Sequence, residues 1–292
     1  MLRQRVITAV LMLVVLVGTL WVDASWPFLG LLALACGCAA WEWLRLTLPS
    51  QVRQIGAAAG GVLVFAVCAW LIGQWTGPDD MFGRGEAVRW IDMSIYAVAA
   101  IWVAGVLPAV VRGDATRSGE SVLWSLFAPV ALLTAWMSLA LMFLLFSAWF
   151  VISLLITVWV ADVGAYFVGR AIGKRKLAPR VSPGKTLEGA IAGMSGAVIW
   201  LVISGWVWPD SFGATLMQYW TLPGAVVLAA VLGAMSILGD LFESLLKRRA
   251  GKKDSSQLLP GHGGVFDRID AIVPVAVCAQ AFLGIGAVWG VA

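Results

Sequence analysis

Residues 122–160, VLWSLFAPVALLTAWMSLALMFLLFSAWFVISLLITVWV, form an apolar stretch without a charged residue. A helix crosses the hydrocarbon core of a bilayer with about 20 residues, so this stretch is too long for one crossing. We predict two membrane-spanning helices that divide near Leu144. Helices are required because lipid offers no partners to backbone amide and carbonyl groups.

The composition of the whole chain agrees with a membrane protein. Of its 292 residues, 61% are hydrophobic and 12% are charged, and its mean hydropathy is +0.92. Soluble domains carry about 45–50% apolar and about 25% charged residues. These values exclude a soluble globule, a disordered chain and a disulfide-stapled secreted fold. The four cysteines lie in apolar runs and are interpreted as small buried hydrophobic residues.

Hydropathy predicts an all-α integral membrane protein with about nine transmembrane helices. The expected spans are 7–22, 26–44, 55–73, 93–111, 122–144, 145–169, 186–208, 222–247 and 268–290. Glycines at four-residue spacing in the third and seventh spans predict close helix packing. We expect residues 1–144 to supply a scaffold with the dimer and lipid contacts, and residues 145–292 to form the catalytic region with two basic cytoplasmic loops.

The distribution of positive charge predicts the orientation. With the N-terminus in the cytoplasm, the only Lys and Arg residues outside are Arg84 and Arg89, of 20 in total. This satisfies the positive-inside rule and places the C-terminus outside. Residues 1–22 resemble a signal peptide, but no clear cleavage site follows them, so we expect the first helix to be retained.

Ionisable side chains within or beside the spans are candidates for function, because such groups are costly in lipid and face a cavity or a partner. They are Glu42, Asp162, Glu188, Asp240, Glu243, Asp267 and Asp270. Glu42 lies between two tryptophans near a membrane edge, where an anchor at the interface is the preferred interpretation.

Helical spacing groups several of these residues. Asp162, Tyr166 and Arg170 share one face, which is typical of a substrate site or of a structural Asp–Arg pair. A second stripe contains Ser236, Asp240, Glu243, Ser244 and Lys247. Asp267 and Asp270 are three residues apart at the expected start of the last span, so both can point the same way.

Carboxylates without histidine or cysteine partners favour a hard cation such as Mg²⁺, and nearby lysines and arginines favour a phosphate substrate. Glycines around His262 would let backbone amides approach phosphate. The segment 182–188, SPGKTLE, joins a basic loop to a span. It is interpreted either as part of the site or as an ordinary helix start with positive-inside charges.

Residues 244–270, SLLKRRAGKKDSSQLLPGHGGVFDRID, resemble the signature of the phosphatidate cytidylyltransferases, also called CDP-diacylglycerol synthases. The fixed positions, S-x-x-K-R-x4-K-D followed by P-x-H-G-G-x-x-D-R-x-D, are all met. A second stretch, from Asp162 to Gly189, is also similar to the family. Together the two stretches cover roughly residues 160–271, and the first 150 residues add little.

The resemblance implies that the chain condenses CTP with phosphatidic acid, releasing pyrophosphate. It also implies a homodimer in the bacterial inner membrane, an active site that faces the cytoplasm, and no nucleic-acid partner. Mg²⁺ is implied, and a monovalent cation such as K⁺ is allowed beside it. The implied metal ligands are Asp240 and Asp267, with Asp270 close by.

The resemblance and the residue pattern together assign roles as follows. The predicted catalytic residues are Asp240, Asp267, Asp270, Lys247 and Arg248. The predicted substrate-binding residues are Asp162, Tyr166, Arg170, Ser182, Lys185, Thr186, Glu188, Ser244, Lys253, His262, Gly263, Gly264 and Arg268. Two alternative functions are a CTP-dependent kinase of polyprenol or other lipids and, with less support, a cation transporter.

Overall fold

A computed structural model of the chain describes residues 2–77 and 85–289, with side chains except at 2–6, 9, 85–88 and 285–289. Most of it is helical. The helices are α1 (Leu2–Trp21), α2 (Trp26–Thr47), α3 (Arg53–Thr76), α4 (Gly85–Ile101), α5 (Leu107–Arg112), α6 (Val122–Leu145), α7 (Ala148–Ile172), α8 (Leu187–Val207), α9 (Phe212–Arg249), α10 (Phe266–Ile269) and α11 (Ile272–Trp289). A π-helical turn, Trp102–Val106, joins α4 to α5.

Within the described residues, seven helices are long and apolar enough to cross a membrane. They are α2, α3, the continuous segment Arg89–Arg112, α6, α7, α8 and α9. Val10–Trp21 and Ile272–Gly284 are shorter apolar helices. An α-helical membrane protein is therefore confirmed, while nine crossings and the orientation of the termini stay predictions. Arg84 lies outside the described residues.

The long apolar stretch is divided where the sequence predicts. α6 ends at Leu145 and α7 begins at Ala148. Ser147 causes the division locally, because its extended backbone ends one helix and its Oγ accepts a hydrogen bond from Phe150 N at 3.1 Å. This is an N-cap of the kind that serine commonly provides.

The chain forms two compact units. The first contains Met1–Ile91, Thr116–Trp136 and Leu246–Ile269. In it, α2 packs on α3 so closely that a Cβ atom added at Gly61 would lie 2.8 Å from the carbonyl oxygen of Gly37. The aromatic ring of Trp43 stacks on that of Phe266 at 5.0 Å and so fixes α10 against α2. The division at residue 144 into a scaffold and a catalytic region stays a prediction.

The second unit contains Asp92–Ala115, Met137–Leu245 and Asp270–Ala292. Here α8 packs on α7 through the predicted glycines, since an added Cβ at Gly189 or Gly193 would lie 2.7 Å from a carbonyl oxygen of α7. α9 approaches α8 equally closely, with Gly233 next to the Cα atom of Met194. Small residues therefore bring α7, α8 and α9 together, and these helices carry one group of candidate site residues.

Four features differ from the sequence prediction. α9 begins at Phe212, ten residues before the predicted span 222–247, and contains a non-helical residue at Thr221. Residues 176–186 form an antiparallel hairpin, β1 (Lys176–Ala178) and β2 (Ser182–Thr186), because two prolines exclude a helix there. The predicted ninth span is interrupted, with α10 separated from α11. α3 and α4 extend into the predicted outer loop 74–92, of which residues 78–84 lie outside the described part.

Candidate active site

Many of the predicted site residues fall into two polar clusters, one in each compact unit. The first is the loop of residues 250–267, called here the Asp267 loop, with its partners on α2 and α9. The second, called the hairpin cluster, consists of Asp162, Lys185, Ser236, Asp240 and Ser244.

Glu42 holds the Asp267 loop to α2. Its carboxylate is fully buried and accepts a hydrogen bond from Ser255 Oγ at 3.1 Å and one from Ser256 Oγ. It also accepts bonds from the backbone amides of Val265 at 3.0 Å and Phe266 at 2.6 Å. The interpretation of Glu42 as an interfacial anchor is therefore wrong, because the side chain points inward and orders the signature loop.

Asp267 is held by the same loop. Its Oδ2 accepts hydrogen bonds from Ser255 N at 3.0 Å, Ser255 Oγ at 2.7 Å and Gly264 N at 2.8 Å. Its Oδ1 pairs with Lys247 Nζ at 2.6 Å, and both side chains are nearly buried. Because Ser255 Oγ contacts both Glu42 and Asp267, the two carboxylates are linked through one hydroxyl group.

The turn 259–264 depends on its glycines. Gly261 and Gly263 have φ angles of 78° and 85°, which favour glycine, and Gly263 forms a bridge with Leu259. The amide of Gly264 donates to Asp267 within the protein. In the described part of the chain, Nδ1 of His262 is a buried atom without a hydrogen-bond partner.

The remaining basic residues of this unit give it positive charge. Arg248, Lys253 and Arg268 are exposed, and a guanidinium nitrogen of Arg248 donates to the carbonyl oxygen of Lys252 at 3.3 Å. Partial burial lowers the pKa of Lys252, and the positive charges of Arg45 and Arg53 lower it further. Such crowding of cations produces a potential that attracts polyanions.

The hairpin cluster centres on Asp240 of α9. Lys185 on β2 places its Nζ atom 2.7 Å from Asp240 Oδ2, and Ser244 Oγ donates to Asp240 Oδ1 at 3.3 Å. Ser236 Oγ lies 3.5 Å from Asp162 Oδ1 of α7. Two of the sequence-predicted groups, from α7 and α9, are thereby brought together, and the hairpin adds the lysine.

Asp162 does not form the structural pair with Arg170 that the spacing allows. Arg170 instead donates to the hydroxyl oxygen of Tyr166 at 3.0 Å, and both side chains are exposed. Asp162 is directed to α9, where it lies within electrostatic reach of Asp240 and Lys185. The predicted face Asp162–Tyr166–Arg170 is therefore divided between two environments.

The segment 182–188 shapes the start of α8. Thr186 is the N-cap, and its Oγ1 accepts from Gly189 N at 3.1 Å. Glu188 accepts from the amides of Lys174 at 3.1 Å and Arg175 at 3.2 Å, which fixes the chain that enters the hairpin. Ser182 lies at the start of β2, half-buried.

Two further acids are buried in the second unit. Asp270 is 9% exposed, and its Oδ1 accepts from the amide of Ala271 at 2.8 Å. The carbonyl oxygen of Asp270 also packs against Gly239 of α9. Glu243 is 1% exposed. Both acids lie in the interior rather than on a surface that faces lipid.

The donor atoms of both clusters fit a hard cation, since they are carboxylate and hydroxyl oxygens. Asp240 and Asp267 each pair with a lysine at 2.6–2.7 Å, and these ammonium groups occupy one carboxylate oxygen of each residue. Across the described residues, no group of three or more His, Cys, Asp or Glu side chains is placed to hold a metal ion. The predicted Mg²⁺ site therefore stays a prediction.

Sequence reasoning missed the role of Glu42 and the hairpin that presents Lys185. An acid within an apolar span could have indicated that Glu42 has partners inside the protein. The two prolines at 179 and 183 could have indicated that the segment with Lys185 is not helical.

Comparisons with known proteins identify the family of the chain. A family model described as the cytidylyltransferase family matches residues 3–285. The phosphatidate cytidylyltransferase of Pseudomonas aeruginosa is 36% identical over 99% of both chains. The enzyme of the same name from Haemophilus influenzae is 33% identical over 93% of this chain and 95% of its own. That from Brucella suis is 46% identical over 45% of this chain and 46% of its own. The chain belongs to the cytidylyltransferase family.

Proposed function

We propose that the chain condenses CTP with phosphatidic acid to give CDP-diacylglycerol and pyrophosphate. The observation that carries the proposal is similarity, over nearly the full length, to two proteins named for this activity. The lysine–carboxylate pairs support the proposal. Both substrates are polyanions, and fixed positive charge is needed to hold them close together.

The reaction is a nucleotidyl transfer. A phosphate oxygen of phosphatidic acid attacks the α-phosphorus of CTP, a new O–P bond forms, and the bond from the α-phosphorus to the bridging oxygen breaks. Pyrophosphate leaves with that oxygen. A phosphomonoester has a second pKa of about 6, so its oxygen is already anionic near neutral pH and needs no strong general base.

The chain's own residues then have to offset charge and position the substrates. We assign Lys185 to phosphate contact near the hairpin, and Lys247, Arg248, Lys253 and Arg268 to the phosphates of CTP. Each of Lys185 and Lys247 is held by an aspartate at 2.6–2.7 Å, which fixes the ammonium group before a substrate arrives. We also assign His262 to substrate binding, because its Nδ1 has no hydrogen-bond partner among the described residues.

Asp240 and Asp267, with Asp270 as the third acid, are the proposed ligands of Mg²⁺. The metal would neutralise phosphate charge as it develops during transfer. A monovalent cation such as K⁺ remains part of the proposal for this site. The oxygen-only donor chemistry supports a hard cation in preference to zinc.

The proposal includes the membrane arrangement. We infer nine crossings, a cytoplasmic N-terminus, an outside C-terminus, and an active site that faces the cytoplasm of the bacterial inner membrane. We also infer a homodimer. The position of all Lys and Arg residues but Arg84 and Arg89 supports this orientation.

The test uses the purified full chain in detergent with phosphatidic acid, [α-³²P]CTP and Mg²⁺, with and without EDTA. We expect label in chloroform-soluble lipid, an equal amount of pyrophosphate, and loss of both on chelation. Release of CDP without labelled lipid would refute transfer and indicate a lipid kinase. If neither product forms, a cation-flux assay in liposomes tests the transporter alternative.

A further inference from the structure

A mainly apolar groove of about 600 Å³ lies in the second compact unit. Its walls come from α5, the β1–β2 hairpin, α8 and α9. Ligand-binding cavities are commonly 300–1,000 Å³, so the groove is large enough for a ligand. Its apolar lining includes Leu107, Ile191, Met194 and Leu238.

Arg112 and Arg180 are the charged residues of this lining, and both are exposed. The residues that follow these arginines, Gly113 and Val181, lie close together, because a Cβ atom added at Gly113 would lie 3.7 Å from Val181 Cγ2. Gly113 caps α5 with φ 59°, and Val181 is buried in the hairpin turn. The backbone positions of the two arginines are therefore near each other, and in the described part of the chain neither side chain has an acidic partner.

The groove has a polar end and an apolar end. Arg112 is the last residue of the apolar segment Arg89–Arg112, and α8 begins at Leu187 after the hairpin. Arg112 ends an apolar helix and Arg180 lies in the hairpin before α8, so we expect both near the phospholipid headgroups. Leu107 and Met194 line the groove further along the helices, where acyl chains are expected.

The groove lies beside the hairpin cluster on a neighbouring face of α9. Ile237 and Leu241 line the groove, while Ser236 and Asp240 belong to the cluster. Successive residues turn by 100° on a helix, so the two faces are about a third of a turn apart. The hairpin that closes the groove also carries Lys185 to Asp240.

We propose that this groove binds phosphatidic acid, with an acyl chain along its apolar walls and the phosphate on Arg112 and Arg180. The identity of the lipid rests on the proposed function. A lipid held there lies beside the strand that carries Lys185. The groove is thus a docking site for the lipid substrate, adjacent to the polar residues assigned to the reaction.

Charge complementarity favours this occupant. A phosphomonoester carries nearly two negative charges at pH 7, which two arginines match. Guanidinium groups also bind phosphate oxygens in a bidentate geometry that lysine does not reproduce. A phosphodiester lipid carries one negative charge and leaves one guanidinium uncompensated.

The test uses the full chain in nanodiscs with phosphatidic acid that carries a photoreactive acyl chain, without CTP. We expect crosslinks in the segments that contain Ile191 and Leu238, and at least about tenfold less labelling in R112Q/R180Q. The matched control, R117Q/K176Q, removes the same charge from exposed residues outside the groove and should label as the wild type does. Ile191→Trp keeps the arginines and fills the groove, and should also reduce labelling.

Turnover provides the second readout. In R112Q/R180Q we expect the KM for phosphatidic acid to rise at least about tenfold, with kcat and the KM for CTP unchanged. Crosslinks elsewhere, unchanged labelling in R112Q/R180Q, or equal competition by phosphatidylglycerol would overturn the groove assignment. Labelling needs no turnover, so groove labelling in a wild type that makes no CDP-diacylglycerol would refute the proposed function alone.

Discussion

Replacement of Glu42 by glutamine tests whether this buried acid orders the Asp267 loop. The carboxylate accepts bonds at both oxygens, with Val265 N and Ser256 Oγ on Oε1, and Phe266 N and Ser255 Oγ on Oε2. Glutamine keeps one accepting oxygen. Whichever way the glutamine amide turns, its NH₂ group faces the backbone N–H of either Val265 or Phe266, which then has no acceptor. The serine on the same side can rotate its hydroxyl and accept a hydrogen bond from the NH₂ group.

The expected cost follows from that count. A buried N–H without a partner costs about 1–3 kcal/mol, and the remaining bonds lose the contribution of the charge, so the sum is about 2–4 kcal/mol. Each 1.4 kcal/mol is a factor of ten, so opening of the loop should become about 30- to 700-fold more favourable. Amides held by Glu42 should exchange faster by the same factor.

Hydrogen exchange followed by mass spectrometry measures this effect in peptides that contain Val265 and Phe266. Turnover should fall in parallel, because the same loop positions Asp267. The control is Glu120→Gln, which makes the same chemical change at an acid with a 43% exposed side chain that bonds Ser50 and Arg53. If Glu42→Gln exchanges and turns over like the wild type while folding normally, the loop does not depend on Glu42.

Five further substitutions test the same contacts. Gly264→Ala should slow turnover and speed hydrogen exchange in the Asp267 loop. Its Cβ atom would collide with Ser255 Oγ and lie 2.6 Å from the carboxylate oxygens of Glu42. Lys247→Gln should lower the free energy of unfolding by about 3–5 kcal/mol, since it leaves Asp267 buried without its cation. Lys185→Gln should cost only about 0–1 kcal/mol, because that pair is more exposed, yet it should still reduce turnover. Asp240→Asn and Asp267→Asn should each abolish turnover while the protein still inserts and folds.

Each of these predictions can fail independently. Equal stability of the Lys247 and Lys185 variants in denaturant or thermal unfolding would contradict the role given to burial. Gly264→Ala with normal exchange would mean that the turn has room for a side chain. Normal turnover by purified Asp240→Asn or Asp267→Asn would remove that residue from the proposed metal site.

The helices could be predicted because lipid acts as a uniform solvent. Each apolar run of sufficient length must be helical, so hydropathy places most helix ends within a few residues, although α4 and α9 begin eight and ten residues earlier than predicted. The division of 122–160 was also predictable, and Ser147 supplies its N-cap. The helix packing at Gly189 and Gly193 was predictable because small residues four positions apart lie on one face of a helix. A neighbouring helix can approach that face closely.

The hairpin was harder because local rules only exclude a helix between Pro179 and Pro183. They do not state what replaces it. The pairing of Lys176 with Thr186 and of Ala178 with Ser182 depends on how the two arms meet. The contact between Lys185 and Asp240 was therefore not predicted either, because it joins residues far apart in the chain through the hairpin.

Glu42 shows most clearly where local reasoning stops. Its neighbours Trp41 and Trp43, and Arg45 one turn later, are typical of the membrane interface, and an exposed anchor satisfies that pattern. The hydrogen-bond donors that hold Glu42 in the interior lie more than 200 residues away, in the Asp267 loop. The sequence of that loop points to Asp267, but it does not show that Glu42 holds the loop in place. A buried carboxylate needs partners wherever they come from. The apolar span therefore indicated that Glu42 had to be paired, and only the fold could identify the pairing.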